Sequence, residues 1–436
     1  MRHDIKLDKE LIRTLEYLDG KNNIIQRMIE IPLQSDEPEI YLALANFTNP
    51  VLFRNKVLDP KRYANTAAGA GFTREESLWA IVGEACERYA AGIFDHNDFI
   101  YDTYENVADK AINIDRLILY SAQQYNQTDF PFSKFNRKTK RHWAVGRSLM
   151  TGREAYIPAQ LLYLSYDYFT QDEMLSASLS TGLAAGGTII DAVFSGLREV
   201  LERDALITNW MLKRQAPEIK LEKIKKYVSN EFARLVDEFG HHINPRLITN
   251  DIGVPSIFTI VRFDQKDTIS VGASCHPDPF KALEKSVLEA FHTRNWVMDM
   301  QRNGRKASSI ENLKNFDDHV LFYTKPENFH HIEFMFSNKE ESLRPLKAPL
   351  GNSSDMTRHM LRLLQARGYE AHYFDMTTAD VEEVGLNVVK VLVPGLQPLH
   401  ADHAHQHLDD RRIKEVAEWY KIPYDNNPND SPHPFP

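Results

Sequence analysis

The chain has 436 residues, 42% of them hydrophobic, which is enough for a large buried core. The formal net charge of −9 disfavours nucleic acid or an acidic membrane as the main partner. The two cysteines, Cys86 and Cys275, exclude a disulfide scaffold and fit a reducing compartment. With no secretory signal and no apolar run long enough to span a bilayer, the sequence predicts a cytoplasmic protein.

Residues 1–60 are predicted to form an N-terminal extension, with a charged helix from Leu7 to Met28 and an extended run from Glu39 to Leu44. From 61 to 436 we expect one catalytic domain, because no linker rich in Pro, Gly or Ser divides it. Helices and strands alternate, which predicts an α/β (α+β) fold with acidic helices packed on open β-sheets.

Three helices stand out in the second region. The first is predicted from Thr73 to about Gly92, the second from Thr188 to about Leu212, and the third opens at Asp278 with a proline in its first turn. The other predicted elements are a helix over Leu221–Phe239, β-runs over Pro255–Val261 and Thr268–Gly272, a helix over Ser354–Arg367, and strands over Glu370–Asp375 and Leu386–Val393.

One motif, Glu-x-x-Glu-Arg, occurs in both of the first two helices. Its two copies are Glu84, Glu87, Arg88 and Glu199, Glu202, Arg203. Each copy follows a glycine-containing turn and a Thr, with an acid three residues after the Thr, namely Glu76 and Asp191. Because residues at i+3 and i+4 share a helix face, Asp191, Ser195 and the acids of the second copy form one stripe. Glu289 falls at the matching place in the third helix, so the domain has an internal pseudo-repeat.

Several carboxylates on mostly apolar helices need positive charge if they are buried. Ordinary salt bridges would satisfy a single copy, whereas two matched copies and a third partial one favour a bound cation. Mg²⁺ prefers carboxylates, retained waters and substrate phosphates, so the motifs predict Mg–ATP between the helices. No phosphate-binding Gly-x-x-x-x-Gly-Lys-Ser/Thr loop is present. We assign Arg88, Arg203 and Arg294 to phosphate oxygens. For Glu76 and Asp191, a role as helix-capping acids remains open.

These motifs resemble those of YcaO-domain proteins. The blocks that carry the resemblance are Ala68–Gly71 with Glu84–Tyr89, Ser180–Gly186 with Glu199–Asp204, and Val393–Leu396. The segment Trp143–Leu149 and the ending Pro432-His433-Pro434-Phe435-Pro436 are similar to the azoline-forming branch. That branch contains the cyclodehydratase D subunits of thiazole/oxazole-modified microcin (bacteriocin) biosynthesis. The resemblance extends roughly from Ala64 to Pro436.

The resemblance implies ATP and Mg²⁺ as cofactors. It places the metal ligands at Glu84, Glu87, Asp191, Glu199 and Glu202, and adds Ser195 and Glu289 to the ATP-binding residues Arg88, Arg203 and Arg294. Two positions depart from the family pattern. Ala80 stands where a Ser is frequent, and Gly187 where an Asn is common, so nucleotide contacts at these two points are open.

The implied activity is ATP-dependent cyclodehydration of a ribosomal precursor peptide. A Cys, Ser or Thr side chain attacks the preceding amide carbonyl, ATP phosphorylates the resulting oxygen, and phosphate leaves as the azoline forms. Phosphorylation is needed because an amide oxygen is a poor leaving group. Alternatives are a YcaO enzyme that forms thioamides or amidines, and a non-catalytic ATP-binding scaffold subunit.

The expected partners follow from the same resemblance. A separate E1-like subunit would bind the leader peptide, because the N-terminal side of the chain is too short to hold that module. A flavin-dependent dehydrogenase is an optional further partner, and we expect a homodimer or a hetero-oligomer. Neither nucleic acid nor a membrane is expected as a partner.

The proline-rich ending has two interpretations. From composition alone it reads as a flexible tail, whereas alternating prolines stiffen a chain into an extended form that can enter a cleft. The resemblance favours the second and implies that Pro432, Pro434 and Pro436 are catalytic, with the terminal carboxylate assisting proton transfer.

The remaining candidates are weaker. His400, His403, His405 and His407 imitate a metal cluster but read as a solvated loop. Cys86 is predicted to be a small core residue, and Cys275 lacks the partners of a nucleophile.

Overall fold

The computed structural model describes residues 7–20, 22–33, 37–53, 64–263, 268–345 and 351–436. They form two units, each discontinuous in sequence. The first unit comprises residues 1–112, 132–196 and 372–392, and the second comprises 113–131, 197–371 and 393–436. The mixture of several sheets with helices confirms the predicted α/β class. The predicted domain boundary at residue 60 lies outside the described residues and stays a prediction.

The first unit contains two antiparallel sheets. Its strands are β1 (Ile25–Ile31), β2 (Tyr41–Phe47), β3 (Thr66–Gly71), β4 (Ile100–Asp102), β5 (Arg141–Ser148), β6 (Glu154–Pro158), β7 (Leu183–Gly186), β13 (His372–Asp375) and β14 (Asn387–Leu392). Its helices are α1 (Lys9–Gly20), α2 (Arg74–Ala90), α3 (Tyr104–Val107), α10 (Ala379–Glu382) and the first part of α5 (Ile189–Met211). One sheet has the order β1-β2-β3, and the other β4-β5-β13-β14-β7 with β6 paired to β5.

The second unit is built on one five-stranded sheet, of order β11-β10-β9-β8-β12. Its strands are β8 (Glu218–Ile219), β9 (Ile243–Leu247), β10 (Ser256–Phe263), β11 (Thr268–Cys275) and β12 (Glu340–Glu341). Its helices are α4 (Ala122–Tyr125), the rest of α5, α6 (Asn230–Phe239), α7 (Pro279–Arg302), α8 (Phe316–Phe322), α9 (Ser353–Ala366) and α11 (Arg411–Tyr420). Trp210, Phe258, Tyr323 and Phe435 belong to one buried core in this unit.

The three acidic helices begin where their capping residues predict. Thr73 caps α2 in a capping box with Glu76, so the capping role considered for Glu76 is confirmed. Asp278 caps α7, with Pro279 in the first turn. The helix predicted up to about Leu212 is α5, which ends at Met211.

Two predicted helices are wrong in extent. The helix predicted over Leu7–Met28 ends at Gly20, and Asn23 adopts a left-handed conformation (φ 55°) that helices do not continue through. The chain then enters β1. The helix predicted from Leu221 begins only at Asn230, because Ser229 caps it by accepting a hydrogen bond from the Phe232 N–H.

Glycines on the sheet edges allow the helices to approach closely. A Cβ atom at Gly272 of β11 would lie 2.3 Å from the Ser286 carbonyl oxygen of α7. At Gly69 of β3 it would lie 2.1 Å from the Ser77 carbonyl oxygen of α2. Among the described residues, no helix is both long and apolar enough to cross a membrane.

We predict that Gly272→Ala lowers the free energy of unfolding by about 1–3 kcal/mol, because the methyl group forces β11 away from α7. Chemical denaturation measures the change. Gly187→Ala is the matched control, since a Cβ there meets nothing within 4 Å and should leave stability nearly unchanged. Equal stability of the two variants would contradict the close-packing argument.

Candidate functional site

The motif carboxylates of the first unit accept hydrogen bonds from edge strands. The Ala68 N–H of β3 donates to Glu84 Oε2 at 2.8 Å. The Ala185 N–H of β7 donates to Glu87 Oε1 at 2.8 Å. In the part of the chain that the structure describes, β3 and β7 lie at the ends of their sheets, so their outward N–H groups face no neighbouring strand. α2 is therefore joined by one carboxylate to each sheet of this unit.

The other site candidates of the first unit lie on α2 and the start of α5. Arg88 donates from Nε to Glu84 Oε1 at 2.8 Å, the salt bridge expected at i+4. The Thr188 hydroxyl donates to Asp191 Oδ2 at 2.6 Å and accepts from the Asp191 N–H at 3.2 Å. This contact favours a capping role for Asp191, and its role in metal binding stays a prediction. Ser195 is half-buried one turn further along α5.

The same edge-strand contact occurs twice on β11 in the second unit. The Ala273 N–H donates to Glu289 Oε2 at 2.7 Å, and the Cys275 N–H donates to Glu202 Oε2 at 3.2 Å. The first pair is separated by 16 residues along the chain, as are Ala68 and Glu84. The third helix thus holds its acid in the same strand–helix arrangement as the first.

Arg203 and Arg198 both act electrostatically on the acids of this cluster, and Arg203 bonds to them directly. It donates to Glu199 Oε1 at 3.3 Å and pairs with Glu202 through Nη1. Three surrounding carboxylates raise the pKa of Arg203, although burial opposes its charged form. Burial, reinforced by the charge of Glu202, raises the pKa of Glu289 to about 8. At Glu289, burial therefore outweighs the attraction of Arg203 and favours the neutral form of the carboxyl group.

Arg294 faces elsewhere. Five residues along α7 turn it about 140° from Glu289. Its guanidinium carbon lies 4.2 Å from the ring centroid of Phe263. It lines a cavity of about 220 Å³ with Phe263, Thr268, Met298 and Gln301. Its assignment to ATP phosphates stays a prediction.

Carboxylate oxygens are the donors that Mg²⁺ prefers, and a divalent cation beside Glu199, Glu202 and Glu289 would favour their charged forms. The residues of the second unit thus fit the predicted ion chemically. In the described ranges, no group of three or more His, Cys, Asp or Glu side chains is arranged to hold a metal. The carboxylates bond instead to strand N–H groups and arginines.

The ending of the chain is buried in the second unit. Trp210 Nε1 donates to the Ser431 carbonyl at 2.9 Å, and the Tyr323 hydroxyl donates to the Pro432 carbonyl at 2.6 Å. Phe435 is fully buried, and the Arg203 guanidinium carbon lies 4.2 Å from its ring centroid. The segment Ser431–Pro436 is therefore seated against the acidic cluster, and the flexible-tail interpretation is wrong for it.

Histidine side chains pack around the buried segment Ser431–Pro436. The His319 and His433 rings stack at a centroid distance of 4.1 Å, and the His400 ring lies 4.6 Å from that of His433. His319 Nδ1 donates to the His433 carbonyl, and His433 Nε2 donates to the His400 carbonyl, both at 2.8 Å.

The histidine segment was expected to be a solvated loop. That expectation is wrong for His400 and His407, which are 3% and 2% exposed. The two rings are buried because their segment packs into the second unit. His400 contacts His433, and the His407 ring stacks on Tyr120.

Both cysteines are buried. The core position predicted for Cys86 is confirmed by its zero exposure. Burial raises the pKa of the Cys86 thiol, and of the Cys275 thiol, to about 12. Neither is then a thiolate at neutral pH, which agrees with the absence of a predicted nucleophile role.

Comparison with known proteins identifies the family. Residues 68–397 match the family model described as YcaO cyclodehydratase, ATP- and Mg²⁺-binding. The chain belongs to the YcaO family. An uncharacterized protein of Methanothermobacter thermautotrophicus is 26% identical over 352 residues, covering 77% of this YcaO chain and 82% of the relative.

Solved structures share the fold of this YcaO chain. A heterocyclase in complex with substrate and cofactor superposes with a TM-score of 0.75 at 21% identity, covering 98% of this chain but only 57% of the heterocyclase. YcaO from Methanopyrus kandleri bound with AMPPCP and Mg²⁺ gives 0.62 at 17% identity, covering 89% and 90%. The E. coli microcin synthetase McbBCD complex gives 0.63 at 16%, covering 94% and 96%.

We predict that the second unit loses stability as pH falls from about 6.5 to about 4. Burial lowers the pKa of His319 to about 4 and that of His433 well below its ordinary value. An unfolded histidine, with a pKa near 6.5, therefore binds a proton that the folded one does not, and acid favours unfolding. The other ionisable groups facing these rings are His400, His403, Asp318 and Asp430.

Denaturation curves between pH 7.5 and 5 measure this slope. His319→Gln should reduce it by up to about 1.4 kcal/mol per pH unit, because one proton fewer is taken up on unfolding. His330→Gln, at an exposed position, is the control and should leave the slope unchanged. A slope that is the same in wild type and His319→Gln would contradict the argument.

Proposed function

We propose that this YcaO protein is an ATP-dependent cyclodehydratase that converts Cys, Ser or Thr of a ribosomal precursor peptide to thiazoline or oxazoline. The side chain attacks the preceding amide carbonyl and closes the ring, ATP phosphorylates the resulting oxygen, and phosphate leaves as the nitrogen loses its proton and the azoline C=N bond forms. The family description, which includes cyclodehydratase activity and binding of ATP and Mg²⁺, supports this proposal.

The observation that carries the proposal is the contact of the proline-rich ending with the acidic cluster. Phe435 covers Arg203, and Arg203 bonds to Glu199 and Glu202. If the ending takes part in cyclodehydration, it must be buried next to the carboxylates proposed to bind Mg–ATP, and the segment Ser431–Pro436 has that position. A thioamide- or amidine-forming enzyme gives no reason for such an ending.

We propose the following roles. Mg²⁺ is held by Glu84, Glu87, Asp191, Glu199 and Glu202; ATP is held by Arg88, Ser195, Arg203, Glu289 and Arg294; the reacting peptide is served by Pro432, Pro434 and Pro436. When bound, Mg²⁺ supplies charge neutralisation for the phosphates. Arg203 orients phosphate oxygens, and Pro432, Pro434 and Pro436 hold the ending beside the reacting peptide.

We also propose that the chain works with a separate E1-like subunit that binds the leader peptide. One comparison supports this. The E. coli microcin synthetase, whose chain this one matches over 96% of its length, is a multi-subunit complex. A flavin-dependent dehydrogenase would act after ring formation.

The first test of the proposal is Glu202→Gln, which removes one negative charge from the proposed metal site. Peptide-dependent ATP hydrolysis should fall by about a hundredfold or more, with the fold retained because the amide oxygen still accepts from the Cys275 N–H. Glu418→Gln, an identical change at an exposed position of α11, is the control and should keep wild-type turnover. Retained hydrolysis in Glu202→Gln would remove Glu202 from the site.

The second test concerns the partner subunit. The isolated chain should modify its precursor peptide slowly and accelerate when the E1-like protein is added, because that protein raises the local concentration of the peptide. The rate of azoline formation is measured by mass spectrometry. A leaderless core peptide is the control, since it should gain nothing from the partner. Equal rates with and without the partner would place peptide recognition in this chain.

The third test adds a few residues after Pro436. The added residues occupy the space beside Pro436 that the proposal assigns to the reacting peptide, so azoline formation should fall by about a hundredfold. Binding of Mg–AMPPCP should remain, because the carboxylates are untouched. Insertion of the same residues at the exposed turn Thr151–Gly152 of the first unit is the control. Full ring formation by the extended chain would show that Pro436 has no role in the reaction.

A further inference from the structure

Phe435 holds a position that its sequence context does not explain. It lies between two prolines in the ending, where an exposed segment would carry a polar residue, yet its side chain has zero exposure. It joins the core of the second unit, which includes Trp210 and Tyr323. One face of its ring meets the guanidinium of Arg203, with the guanidinium carbon 4.2 Å from the ring centroid.

Arg203 makes two kinds of contact that do not compete. A guanidinium donates hydrogen bonds only in its plane, and its faces are free to stack on aromatic rings. The in-plane N–H groups are used for Glu199 and Glu202. The face is covered by Phe435. The ring therefore restricts the tilt of the guanidinium without taking any donor away from it.

The surroundings strengthen this contact. Arg203 is 12% exposed at its side chain, and Phe435 is fully buried. An arginine over an aromatic face is stabilised more strongly when water is excluded than when it is exposed. The backbone that leads into the ring is also fixed, because Tyr323 donates to the Pro432 carbonyl and His319 donates to the His433 carbonyl.

We infer that Phe435 is a positioning residue that acts through Arg203 and couples the seating of the tail to the binding of nucleotide phosphates. The inference rests on the proposed function, in which Arg203 contacts those phosphates. With the ring in place, Arg203 is oriented before the nucleotide arrives. By reciprocity, a bound nucleotide stabilises the seated tail to the same extent as the seated tail favours the nucleotide.

This inference separates two changes that the sequence alone treats alike. Residues added after Pro436 leave Phe435 on Arg203, so the affinity for Mg–AMPPCP should stay near the wild-type value. Deletion of Pro434–Pro436 removes the ring along with the prolines. The affinity should then fall together with ring formation.

The direct experiment replaces Phe435 in the full chain with phenylalanine analogues that carry one, two or three fluorine atoms. Fluorine withdraws charge from the ring face while nearly preserving the ring's shape, so it weakens the cation contact and leaves the packing. The Kd of Mg–AMPPCP should rise stepwise, by about tenfold for the trifluoro analogue. Phe435→Leu should weaken binding at least as much.

The matched control places the same analogues at Phe322, a buried ring of the same core. There the Kd should stay constant. Unfolding temperatures of all the variants, measured without nucleotide, show whether the tail core remains intact.

Each outcome decides the inference. A constant Kd across the fluorinated series, in a chain that binds Mg–AMPPCP, would show that the ring only fills space, and the proposed function would stand without it. A Kd that rises equally at Phe322 would attribute the effect to core packing and overturn the inference. If the wild-type chain binds no Mg–AMPPCP, the proposed function fails and the inference fails with it.

Discussion

The structure depends on one repeated contact, in which a glutamate on a helix accepts a hydrogen bond from the end strand of a sheet. Glu84 and Glu87 do this in the first unit, and Glu202 and Glu289 in the second. An edge strand has N–H groups without a neighbouring strand, and a buried carboxylate has lone pairs without water, so each satisfies the other. The contact needs a helix very close to its sheet, which explains glycine at position 272. The same acids that suit a metal are therefore also structural.

In the second unit, the orientation of α5 is fixed by a buried ion pair of Asp204, the residue that follows Arg203. Asp204 is fully buried next to Arg203 in sequence and bonds to the guanidinium of Arg412, which also pairs with Asp251 at 2.6 Å. A buried network of this kind contributes little net stability compared with apolar residues, but breaking it is costly and its geometry is specific. This network fixes the rotation of α5 about its own axis, and that rotation determines the direction of the Arg203 side chain. Phe435 then restricts the side chain itself.

The sequence predicted the features that depend on short-range rules. The starts of α2 and α7 follow from their capping residues Thr73 and Asp278, and the spacing of the motif alone predicts the acid of the third helix. Features that depend on distant partners could not be predicted. Nothing in the spacing of Glu84 shows that Ala68 supplies its hydrogen bond, and nothing in a Pro-x-Pro-x-Pro run shows an arginine on its penultimate ring. The first helix is predicted too long because its charged pattern continues past Gly20, the last residue of α1. The left-handed conformation of Asn23 prevents the helix from continuing into β1. The segment with His400 and His407 is predicted to be solvated because amino-acid composition does not show which rings become buried in a core.

The interleaving of the two units governs how the protein folds as it is made. β7 pairs with β14, from Gly186 with Asn387 onward, and residues 197–371 of the second unit are synthesised between them. While the ribosome makes that stretch, β5 and β7 have no β13 or β14 to join. Open strand edges of this kind are templates for wrong pairing with other chains. Neither unit can thus complete its fold from its N-terminal part alone, and both close only after translation has passed residue 392. Production of this protein in soluble form accordingly depends on protecting a half-built sheet for the time that about 175 residues take to emerge.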